Sequence, residues 1–369
     1  MSGNSKKEKV VVAMSGGVDS SVAACVLLRE GYDVVGITMK TYTFDEVGGN
    51  VGNETSCCGL DAFNDARRVA VHLGIPHYVA DFTGEFESEV IENFEEEYLR
   101  GRTPNPCIIC NRKIKWGALL RKAESLGASY LATGHYARTE FDATTGRHRV
   151  LRARHHQKDQ SYALWGLGQE ALSRTLFPLG DLTKEEVRAI ARENGIPTAE
   201  KEESFEICFV ADNDYRRFIA ERHPLRLASI PPGDILHRGE KVGIHRGYPY
   251  YTIGQRSGLG AFGRKMYVTS IDPEMNTVTV GDASDLMRRS LIAGELNMVS
   301  IPALSEGMTV TAQVRYRDEP GDATVYEAGE GRIRIEFQQP KRAITPGQSV
   351  VFYDGELLLG GGLIERAGE

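Results

Sequence analysis

Residues 10–21 read VVVAMSGGVDSS, and the rest of the chain can be interpreted outward from this stretch. The four apolar residues at its start are typical of a buried strand, and the apolar residues from Val18 onward recur at helical spacing. Gly16 and Gly17 lie between them and let the backbone turn and approach a ligand closely. Because the first amides of a helix have no partner within it, a strand, a glycine-rich turn and a helix predict a phosphate-binding loop.

Side chains of the same stretch indicate how phosphate would be held. Ser15, Ser20 and Ser21 supply hydroxyl donors. Asp19 would repel phosphate unless a magnesium ion bridged the two. The loop is not the common P-loop, because no Gly-Lys-Ser/Thr ends it. SGGVDS resembles instead the pyrophosphate loop of the N-type ATP pyrophosphatases, which cleave ATP between its α and β phosphates and adenylate a substrate.

Length and composition set the broad class. The chain has 369 residues, of which 41% are hydrophobic, so we expect two or three domains with substantial cores. The net charge of −7 argues against a generally basic surface and leaves any RNA contact to local patches. The polar N-terminus MSGNSKKEK is unlike a signal peptide, and no apolar run approaches the roughly 18 residues of a membrane span. We therefore expect a cytoplasmic protein without membrane contact, whose six cysteines are reduced.

The order of elements over the first 200 residues predicts the fold class. Predicted strands alternate there with predicted helices; the strands lie at 10–13, 33–39, 77–82 and 130–136, and the helices at 61–73, 85–100 and 113–126. This alternation is typical of a doubly wound parallel α/β sheet, whose ligands lie at the carboxyl ends of the strands. Met39, Gly134 and His135 come at such ends and are candidates for the adenosine pocket, although Met39 fits a core position equally well. The helix at 85–100 is acidic, and we expect it to face solvent.

After residue 210 the sequence changes in character, and Gly, Pro and short alternating strands predominate. The predicted strands include 265–271, 277–280, 308–316, 332–337 and 348–353. We expect a catalytic domain at 1–209 followed by two smaller, mainly β domains, a central linker domain at 210–284 and a C-terminal domain at 285–369. GLGAFG at 258–263 matches a dinucleotide-binding pattern, but the residues after it predict a strand where that pattern needs a helix.

Two cysteines lie in a conspicuous segment. Residues 102–115 read RTPNPCIICNRKIK, and the two prolines predict an extended loop that carries Cys107 and Cys110. The basic residues after Cys110 would favour its reactive thiolate form. A single C-x-x-C pair fits zinc or redox chemistry as well, but zinc normally takes four ligands and no second pair occurs in the sequence.

The remaining cysteines differ in their expected roles. Cys208 lies in SFEICFV at 204–210, near the end of the α/β region. Cys25 lies on the helix after the phosphate loop, where a core position is expected. Cys57 and Cys58 are adjacent and follow a loop rich in Gly and Asn, and the sequence suggests no role for them.

These segments occur together with several others in a fixed order. The segments span nearly the whole chain and read, in order, AMSGGVDSS, GRTPNPCIICNRKIKW, LATGHYAR, KDQSY, ICFV, YYTIGQRSGLG, VRYR and TPGQSVVFYDGE. In this order the chain resembles the tRNA-specific 2-thiouridylases. The central and C-terminal segments are the more specific ones, because other adenylating enzymes share the loop. The resemblance implies an adenine nucleotide alpha-hydrolase-like α/β domain and, at the C-terminus, a β-barrel that binds tRNA.

The resemblance also implies a reaction. Members of the family use ATP to adenylate O2 of the wobble uridine in the anticodon loop of certain tRNAs, releasing pyrophosphate. A sulfur nucleophile then attacks C2, AMP leaves and 2-thiouridine results. The uridine must leave the base stack before C2 can be reached. The implied cofactors are ATP and Mg²⁺, and the implied partners are tRNA and a sulfur-relay protein or cysteine desulfurase that donates a persulfide.

Residue roles carried over by motif form four groups. Cys110 would be the nucleophile, Cys208 would carry the persulfide, and Asp19 would assist adenylation. ATP would be bound by Ala13, Met14, Ser15, Gly16, Gly17, Val18, Asp19, Ser20, Met39 and Gly134. The target base would meet Asn105, Pro106 and Cys107. Contacts to tRNA would come from His135, Lys158, Asp159, Gln160, Arg315, Tyr316 and Gln348.

One position departs from the family pattern N-P-D-x-x-C, because Cys107 stands where Asp is usual. In one interpretation Cys107 is a bystander or resolving thiol beside a persulfide relay between Cys208 and Cys110, and we favour this one. In the other, the three thiolates hold a 4Fe–4S cluster whose open iron carries a hydrosulfide.

Two rival functions fit part of the sequence. An adenylating ligase or amidotransferase that makes a small metabolite would use the loop, but it needs no pair of reactive cysteines. A tRNA-binding protein without activity would not need SGGVDS intact. Pyrophosphate release that depends on tRNA separates the three functions.

Overall fold

The computed structural model describes residues 7–43, 60–202, 207–210, 212–260 and 262–368. The chain divides into two compact units. The first comprises Met1–Val90, Cys107–Asn213 and Glu356–Leu358, and the second comprises Ile91–Pro106, Asp214–Gly355 and Leu359–Glu369. The three-domain division at residues 209 and 284 stays a prediction. Within the described residues, no helix is long and apolar enough to cross a membrane.

A five-stranded parallel sheet lies at the centre of the first unit. Its strands are β1 (Lys9–Ala13), β2 (Asp33–Lys40), β3 (His77–Asp81), β4 (Tyr130–Ala132) and, after an antiparallel hairpin of β5 (Ala137–Asp142) and β6 (Arg147–Arg152), β7 (Thr175–Leu176). In space the order is β3-β2-β1-β4-β7, and all four pairings are parallel. The predicted parallel α/β sheet is confirmed, and its central strand is the apolar run that precedes the phosphate loop.

Helices accompany this sheet and the segment that follows it. The α-helices are α1 (Val18–Arg29), α2 (Leu60–Leu73), α3 (Thr83–Phe86), α4 (Glu92–Leu99), α5 (Pro106–Ile109), α6 (Leu120–Ser125), α7 (Gln169–Ser173) and α8 (Lys184–Glu193). Glu87–Ile91 and Cys110–Leu119 are π-helical, and His156–Lys158 and Ser161–Leu164 are 3₁₀ turns. In the core Val12 of β1, Val22 of α1 and Val187 of α8 are fully buried. Cys25 belongs to the same core, as predicted.

The segment around the C-x-x-C pair corrects the sequence prediction. An extended loop is wrong for Cys107 and Cys110, because a helix begins at Pro106 and continues through the π-helical residues. Proline is compatible with the first helical position, since the amide it lacks has no intrahelical partner there. The two thiols therefore lie on one helix, at positions three apart that share a face.

The second unit contains two helices where the sequence predicts only strands, α9 (Tyr215–Arg222) and α10 (Pro224–Ala228). A four-stranded sheet follows, in the order β10-β11-β8-β9; it consists of β8 (Gly233–His237), β9 (Glu240–His245), β10 (Tyr267–Asp272) and β11 (Thr277–Gly281). Tyr248–Tyr250 and Ala283–Leu286 are 3₁₀ turns. The element after GLGAFG is the strand β10, so the structure agrees that this pattern is not a dinucleotide fingerprint.

The last six strands close into a barrel, which confirms the predicted C-terminal architecture. They are β12 (Met287–Met298), β13 (Thr309–Gln313), β14 (Gly321–Glu327), β15 (Ile333–Arg342), β16 (Ser349–Asp354) and β17 (Leu357–Gly368). Their spatial order is β12-β15-β14-β13-β16-β17, and pairing of β12 with β17 completes the ring. Closure leaves the barrel sheet without an open edge between these strands.

The acidic helix at 85–100 is only partly solvent-facing, which corrects the prediction for it. Glu95 and Glu97 are 2% and 8% exposed. Glu95 pairs with Arg222 of α9, and its second oxygen lies 2.8 Å from Nε2 of His223. Arg222 and His223 stand more than 120 positions further along the chain, so no local pattern shows that Glu95 is buried.

Candidate active site

The phosphate loop leaves β1 and enters α1 as predicted. Gly16 has a φ of +71°, a conformation that favours glycine. A methyl group on its Cα would also overlap the backbone carbonyl oxygen of Ala62, at the start of α2. Both constraints require glycine at position 16, whereas neither applies at Gly17.

Hydrogen bonds within the loop hold its shape. The backbone N–H of Ser15 donates to Oγ of Ser20 over 3.1 Å, and Oγ of Ser21 donates to the carbonyl oxygen of Gly17 over 2.7 Å. Among the described residues, no side chain caps α1 at Gly17. The amides of the first helical turn therefore remain for an anionic ligand.

Asp19 carries two interactions that the sequence does not reveal. The hydroxyl of Tyr136 donates to Oδ1 of Asp19 over 2.7 Å, and Nζ of Lys184 lies 2.7 Å from the same oxygen. The Lys184 side chain is 8% exposed. The ion pair places a buried cation beside the loop, where it offsets the negative charge of Asp19.

Sequence reasoning missed Lys184 because the residue lies 165 positions from Asp19. The signal near it is the capping box of Thr183 and Glu186, which predicts the start of α8. The capping box predicts where α8 begins, but it does not indicate which residues lie next to the N-terminus of the helix.

Two other predicted ATP-binding residues lie where the carboxyl ends of strands should place them. A methyl group on Gly134 would lie 2.8 Å from the backbone nitrogen of Ser20, so the chain after β4 packs directly on the loop. Met39, half-buried near the end of β2, pairs with Ala80 of β3. Met14 and Val18 are 2% and 3% exposed, so their side chains belong to the core and only their backbone could face a nucleotide. Contact of these residues with ATP stays a prediction.

The cysteine-bearing helix presents its thiols unequally. Cys107 is exposed and Cys110 is half-buried. Two of the basic side chains after them contact other residues, since Nζ of Lys113 lies 3.1 Å from Oε2 of Glu89 and Lys115 donates to Oδ1 of Asn111 over 2.9 Å. Asn111 in turn donates to Ala163 O, so this network fixes the helix that carries the thiols.

Cys208 lies in a short turn of the same unit. Phe209 beside it is 1% exposed and stacks edge-on against Phe86, with ring centroids 5.7 Å apart. The hydroxyl of Tyr42 donates to the Cys208 carbonyl oxygen over 2.6 Å. The half-buried thiol is thus held on an anchored backbone. Cys57 and Cys58 lie outside the described residues.

The donors for the two implied inorganic groups differ in their fit. A magnesium ion in a nucleotide site takes one or two carboxylates together with phosphate oxygens and water, and Asp19 beside the loop is a suitable donor. For the iron–sulfur alternative, no three Cys, His, Asp or Glu side chains among the described residues are gathered as metal ligands. The predicted ligand set of Cys107, Cys110 and Cys208 therefore does not form a cluster site in this arrangement.

His135 lies in apolar surroundings. Its ring centroid is 5.6 Å from that of Trp116 and 6.1 Å from that of Phe177, and Nδ1 lies 2.7 Å from Oγ1 of Thr133. Burial, and then the Lys115 ammonium, lower the pKa of His135 well below its ordinary value. The ring is therefore neutral at pH 7, so a contact with tRNA would use stacking or hydrogen bonding rather than charge.

The predicted tRNA contacts Lys158, Asp159 and Gln160 follow the β5–β6 hairpin. Asp159 is paired with Arg152 at 2.8 Å and accepts from the Ala153 backbone N–H at 2.9 Å. Gln160 Oε1 accepts from the Tyr136 backbone N–H at 3.0 Å. Asp159 and Gln160 thus bond protein groups, and contact of the three residues with tRNA stays a prediction.

On the barrel, Arg315 and Tyr316 lie in a turn after β13, not on the strand predicted for 308–316. Tyr316 is 40% exposed, and Arg315 pairs with Asp318 at 3.2 Å. Gln348 precedes β16, and its side-chain amide donates to carbonyl oxygens of the segment that contains Asn105 and Pro106.

Family models match the chain in three consecutive parts. They are described as a tRNA methyl transferase HUP domain over residues 8–212, a tRNA methyl transferase PRC-barrel domain over 218–282 and an aminomethyltransferase beta-barrel domain over 288–364. Proteins named tRNA-specific 2-thiouridylase MnmA match over nearly the full length. The protein from Pelotomaculum thermopropionicum is 51% identical over 99% of both chains, and that from Carboxydothermus hydrogenoformans is 52% identical over 98% of both.

The chain belongs to the tRNA-specific 2-thiouridylase family. The Clostridioides difficile member is 48% identical over 98% of this chain and 99% of its own. Among solved structures, the U34-tRNA thiolase NcsA from Methanococcus maripaludis with its 4Fe-4S cluster is 18% identical, with a TM-score of 0.34 over 59% of this chain and 67% of its own. A likeness this weak bears on neither the fold nor the chemistry of this 2-thiouridylase family member.

Proposed function

We propose that this protein converts the wobble uridine of tRNA to 2-thiouridine, using ATP to activate the uracil and a cysteine persulfide to deliver sulfur. The observation that carries the proposal is that one compact unit contains the phosphate loop, the helix bearing Cys107 and Cys110, and the anchored turn bearing Cys208. An adenylating protein without sulfur chemistry would need only the first of these. Full-length similarity to proteins named tRNA-specific 2-thiouridylase supports tRNA as the substrate.

Adenylation is the first step. O2 of the extruded uridine attacks the α-phosphorus of ATP, and the new O–P bond forms as the bond to pyrophosphate breaks. The open amides of α1 and the serine hydroxyls bind the phosphates, and the buried Lys184 compensates charge at the loop. Magnesium, held by Asp19, would neutralise phosphate charge.

Sulfur transfer follows in two steps. The terminal sulfur of a Cys208 persulfide attacks C2, and AMP leaves with the electrons of the C2–O2 bond. The Cys110 thiolate then attacks Sγ of Cys208, which breaks the persulfide S–S bond and releases 2-thiouridine. The resulting disulfide between the two cysteines is reduced by an external dithiol. The described residues gather no ligand set for iron, and this persulfide route requires none.

The test is turnover by the purified protein with a wobble-uridine tRNA, MgATP, a persulfide donor and a dithiol. We expect equal amounts of AMP, pyrophosphate and 2-thiouridine. Cys110→Ser and Cys208→Ser should lose thiolation and keep tRNA-dependent pyrophosphate release. Cys107→Ser, on the same helix, should retain both, with at most a raised KM for tRNA because Cys107 is predicted to meet the target base.

Other outcomes would overturn the proposal. Pyrophosphate release without tRNA would favour an adenylating ligase, and none under any condition would leave a tRNA-binding protein. Stoichiometric iron in anaerobically purified protein, lost together with activity in Cys107→Ser, would replace the persulfide route by the cluster.

A further inference from the structure

Residues 103–106 form the irregular segment that enters α5, and the barrel holds this segment from outside. Nε2 of Gln348 lies 3.0 Å from the carbonyl oxygen of Thr103 and 3.0 Å from that of Pro104. In return, the backbone N–H of Thr103 donates to the carbonyl oxygen of Pro346 over 2.9 Å. Three hydrogen bonds therefore join two consecutive residues of the segment to one turn of the barrel.

The turn that provides these bonds is itself tightly fixed. The backbone N–H of Gly347 donates to Ile364 O, and the Ile364 N–H donates to Gln348 O, over 2.9 and 2.8 Å. Gly347 has a φ of +89°, and a methyl group on it would lie 2.8 Å from the Thr103 carbonyl oxygen and 3.0 Å from Oε2 of Glu97. The segment packs so closely on the turn that residue 347 must be glycine.

The other end of the segment is pinned as well. The backbone N–H of Arg102 donates to the carbonyl oxygen of Glu97, and Nε of Arg102 lies 2.8 Å from Oε2 of the same residue. Pro104 and Pro106 are buried, while Asn105 between them is half-buried. Neither proline has an N–H to donate, so the bonds from Gln348 supply much of what holds this backbone in place.

The orientation of the Gln348 amide follows from its partners. Two carbonyl oxygens can be satisfied only by the NH₂ group, so both of its hydrogens point into the protein. The remaining group, Oε1, is an acceptor. Phosphate oxygens also only accept hydrogen bonds, so they cannot pair with Oε1. Gln348 therefore cannot bind a tRNA phosphate while its NH₂ group holds the segment.

We propose that Gln348 is a positioning residue, which acts on the target uridine through residues 103–106. This inference rests on the proposed function, in which Asn105 and Pro106 meet the extruded base. The barrel turn sets where that segment stands, and a shift of about 1 Å at a reacting centre can cost on the order of a hundredfold in rate.

The test compares Gln348→Met, which keeps the side-chain length and removes the donors, with Gln339→Met, at an exposed glutamine of β15. For Gln348→Met we expect kcat for thiolation to fall about ten- to a hundredfold. The tRNA Kd and its salt dependence should stay as in the unchanged protein. Gln348→Glu, which turns a carboxylate toward two carbonyl oxygens, should be more severe, and Gln339→Met should match the unchanged protein.

Hydrogen–deuterium exchange, which does not depend on catalytic turnover, tests this inference separately from the proposed function. Deuterium uptake of a peptide spanning residues 102–105 should rise in Gln348→Met, which removes the two bonds that hold the Thr103 amide against the Pro346 carbonyl oxygen, and in Gly347→Ala, which pushes the turn away from Thr103. It should not rise in Gln339→Met. If the tRNA Kd weakens in parallel with kcat/KM while the deuterium uptake stays unchanged, Gln348 acts only as a tRNA contact and the inference is wrong. Unchanged uptake and unchanged kcat would overturn it as well. Absence of thiolation by the unchanged protein would refute the proposed function and leave the uptake result standing.

Discussion

The loop at residues 14–17 and the segment at residues 103–106 are both irregular stretches that enter a helix, but they are held in opposite ways. Met14 at the start of the first is bonded to Ile37 and Thr38 of the neighbouring strand β2. The bonds of its residues 15–17 join positions three to five apart, as between Ser15 and Ser20. Bonds in the second join residues about 245 positions apart, as between Thr103 and Gln348. A locally bonded loop can be predicted from its own sequence, whereas a segment held from a distant barrel cannot.

The largest expected effect tests the local loop. Gly16→Ala meets both a positive φ and the Ala62 carbonyl, whereas Gly31→Ala meets a φ of +94° with open space around it. Gly31→Ala should cost about 1 kcal/mol of unfolding free energy, for the left-handed backbone alone. Gly16→Ala should cost more and weaken MgATP binding at least about tenfold, equal to about 1.4 kcal/mol. Denaturant titration and nucleotide titration measure the two effects, and equal behaviour of the two variants would contradict the close approach.

The next effect tests the long-range support of α4, the helix that precedes the second segment. Glu95→Gln leaves Arg222 without its buried carboxylate partner, and we expect it to lower the unfolding free energy by about 3 kcal/mol. Glu92→Gln, on the exposed face of the same helix, should change it by less than about 0.5 kcal/mol. Urea denaturation of both variants is the measurement. Similar small changes in both would mean that Glu95 adds nothing beyond local helix stability.

The ion pair of Asp19 with Lys184 is a distant contact beside the phosphate loop and tests the same comparison. Lys184→Met removes the buried partner of Asp19, and we expect a loss of about 2 kcal/mol, typical of a hydrogen bond to a charged group. Combined with Asp19→Asn, the cost should be smaller than the sum of the single changes. Additive changes in a double-mutant cycle would show that Asp19 and Lys184 are not energetically coupled.

Acid should weaken the protein through His135. Its pKa is lowered in the folded state, whereas the unfolded chain takes up a proton near pH 6.5, so stability is lost as the pH falls below about 6.5. His77 and His245, whose pKa values burial also lowers, add to the same trend. His135→Gln should flatten the pH dependence by up to about 1.4 kcal/mol per pH unit. His72→Gln, at an exposed position, is the control, and identical slopes for the two variants would contradict burial of a neutral ring.

The smallest effect separates two residues of the barrel. Arg315→Ala should weaken tRNA binding and reduce the slope of log K against log salt by about 1, as expected for one lost phosphate contact. Gln348→Met should leave this slope unchanged. An unchanged slope for Arg315→Ala would remove Arg315 from the interface.

Agreement between sequence and structure depends on the range of the interactions involved. Val10, Val11 and Val12 predict the central strand because three consecutive apolar β-branched residues fit a strand buried on both faces, and all three are fully buried. The prediction for Cys107 is wrong because Pro106 was interpreted as a helix breaker, although it is equally compatible with the first position of a helix. No signal near Glu95 indicates that α9 covers it.

The amino-acid sequence alone was sufficient for the parallel sheet, the glycine-rich loop between strand and helix, the buried Cys25 and the family. Each of these depends on side chains within a few residues of one another, or on the order of motifs along the chain. Only the tertiary structure placed Lys184 against Asp19, Arg222 against Glu95 and the Gln348 amide against residues 103 and 104. The reason is physical. A buried charge or carbonyl must be paired by whichever group the folded chain brings next to it. When that group is more than a hundred residues away, the sequence around the buried group does not identify it.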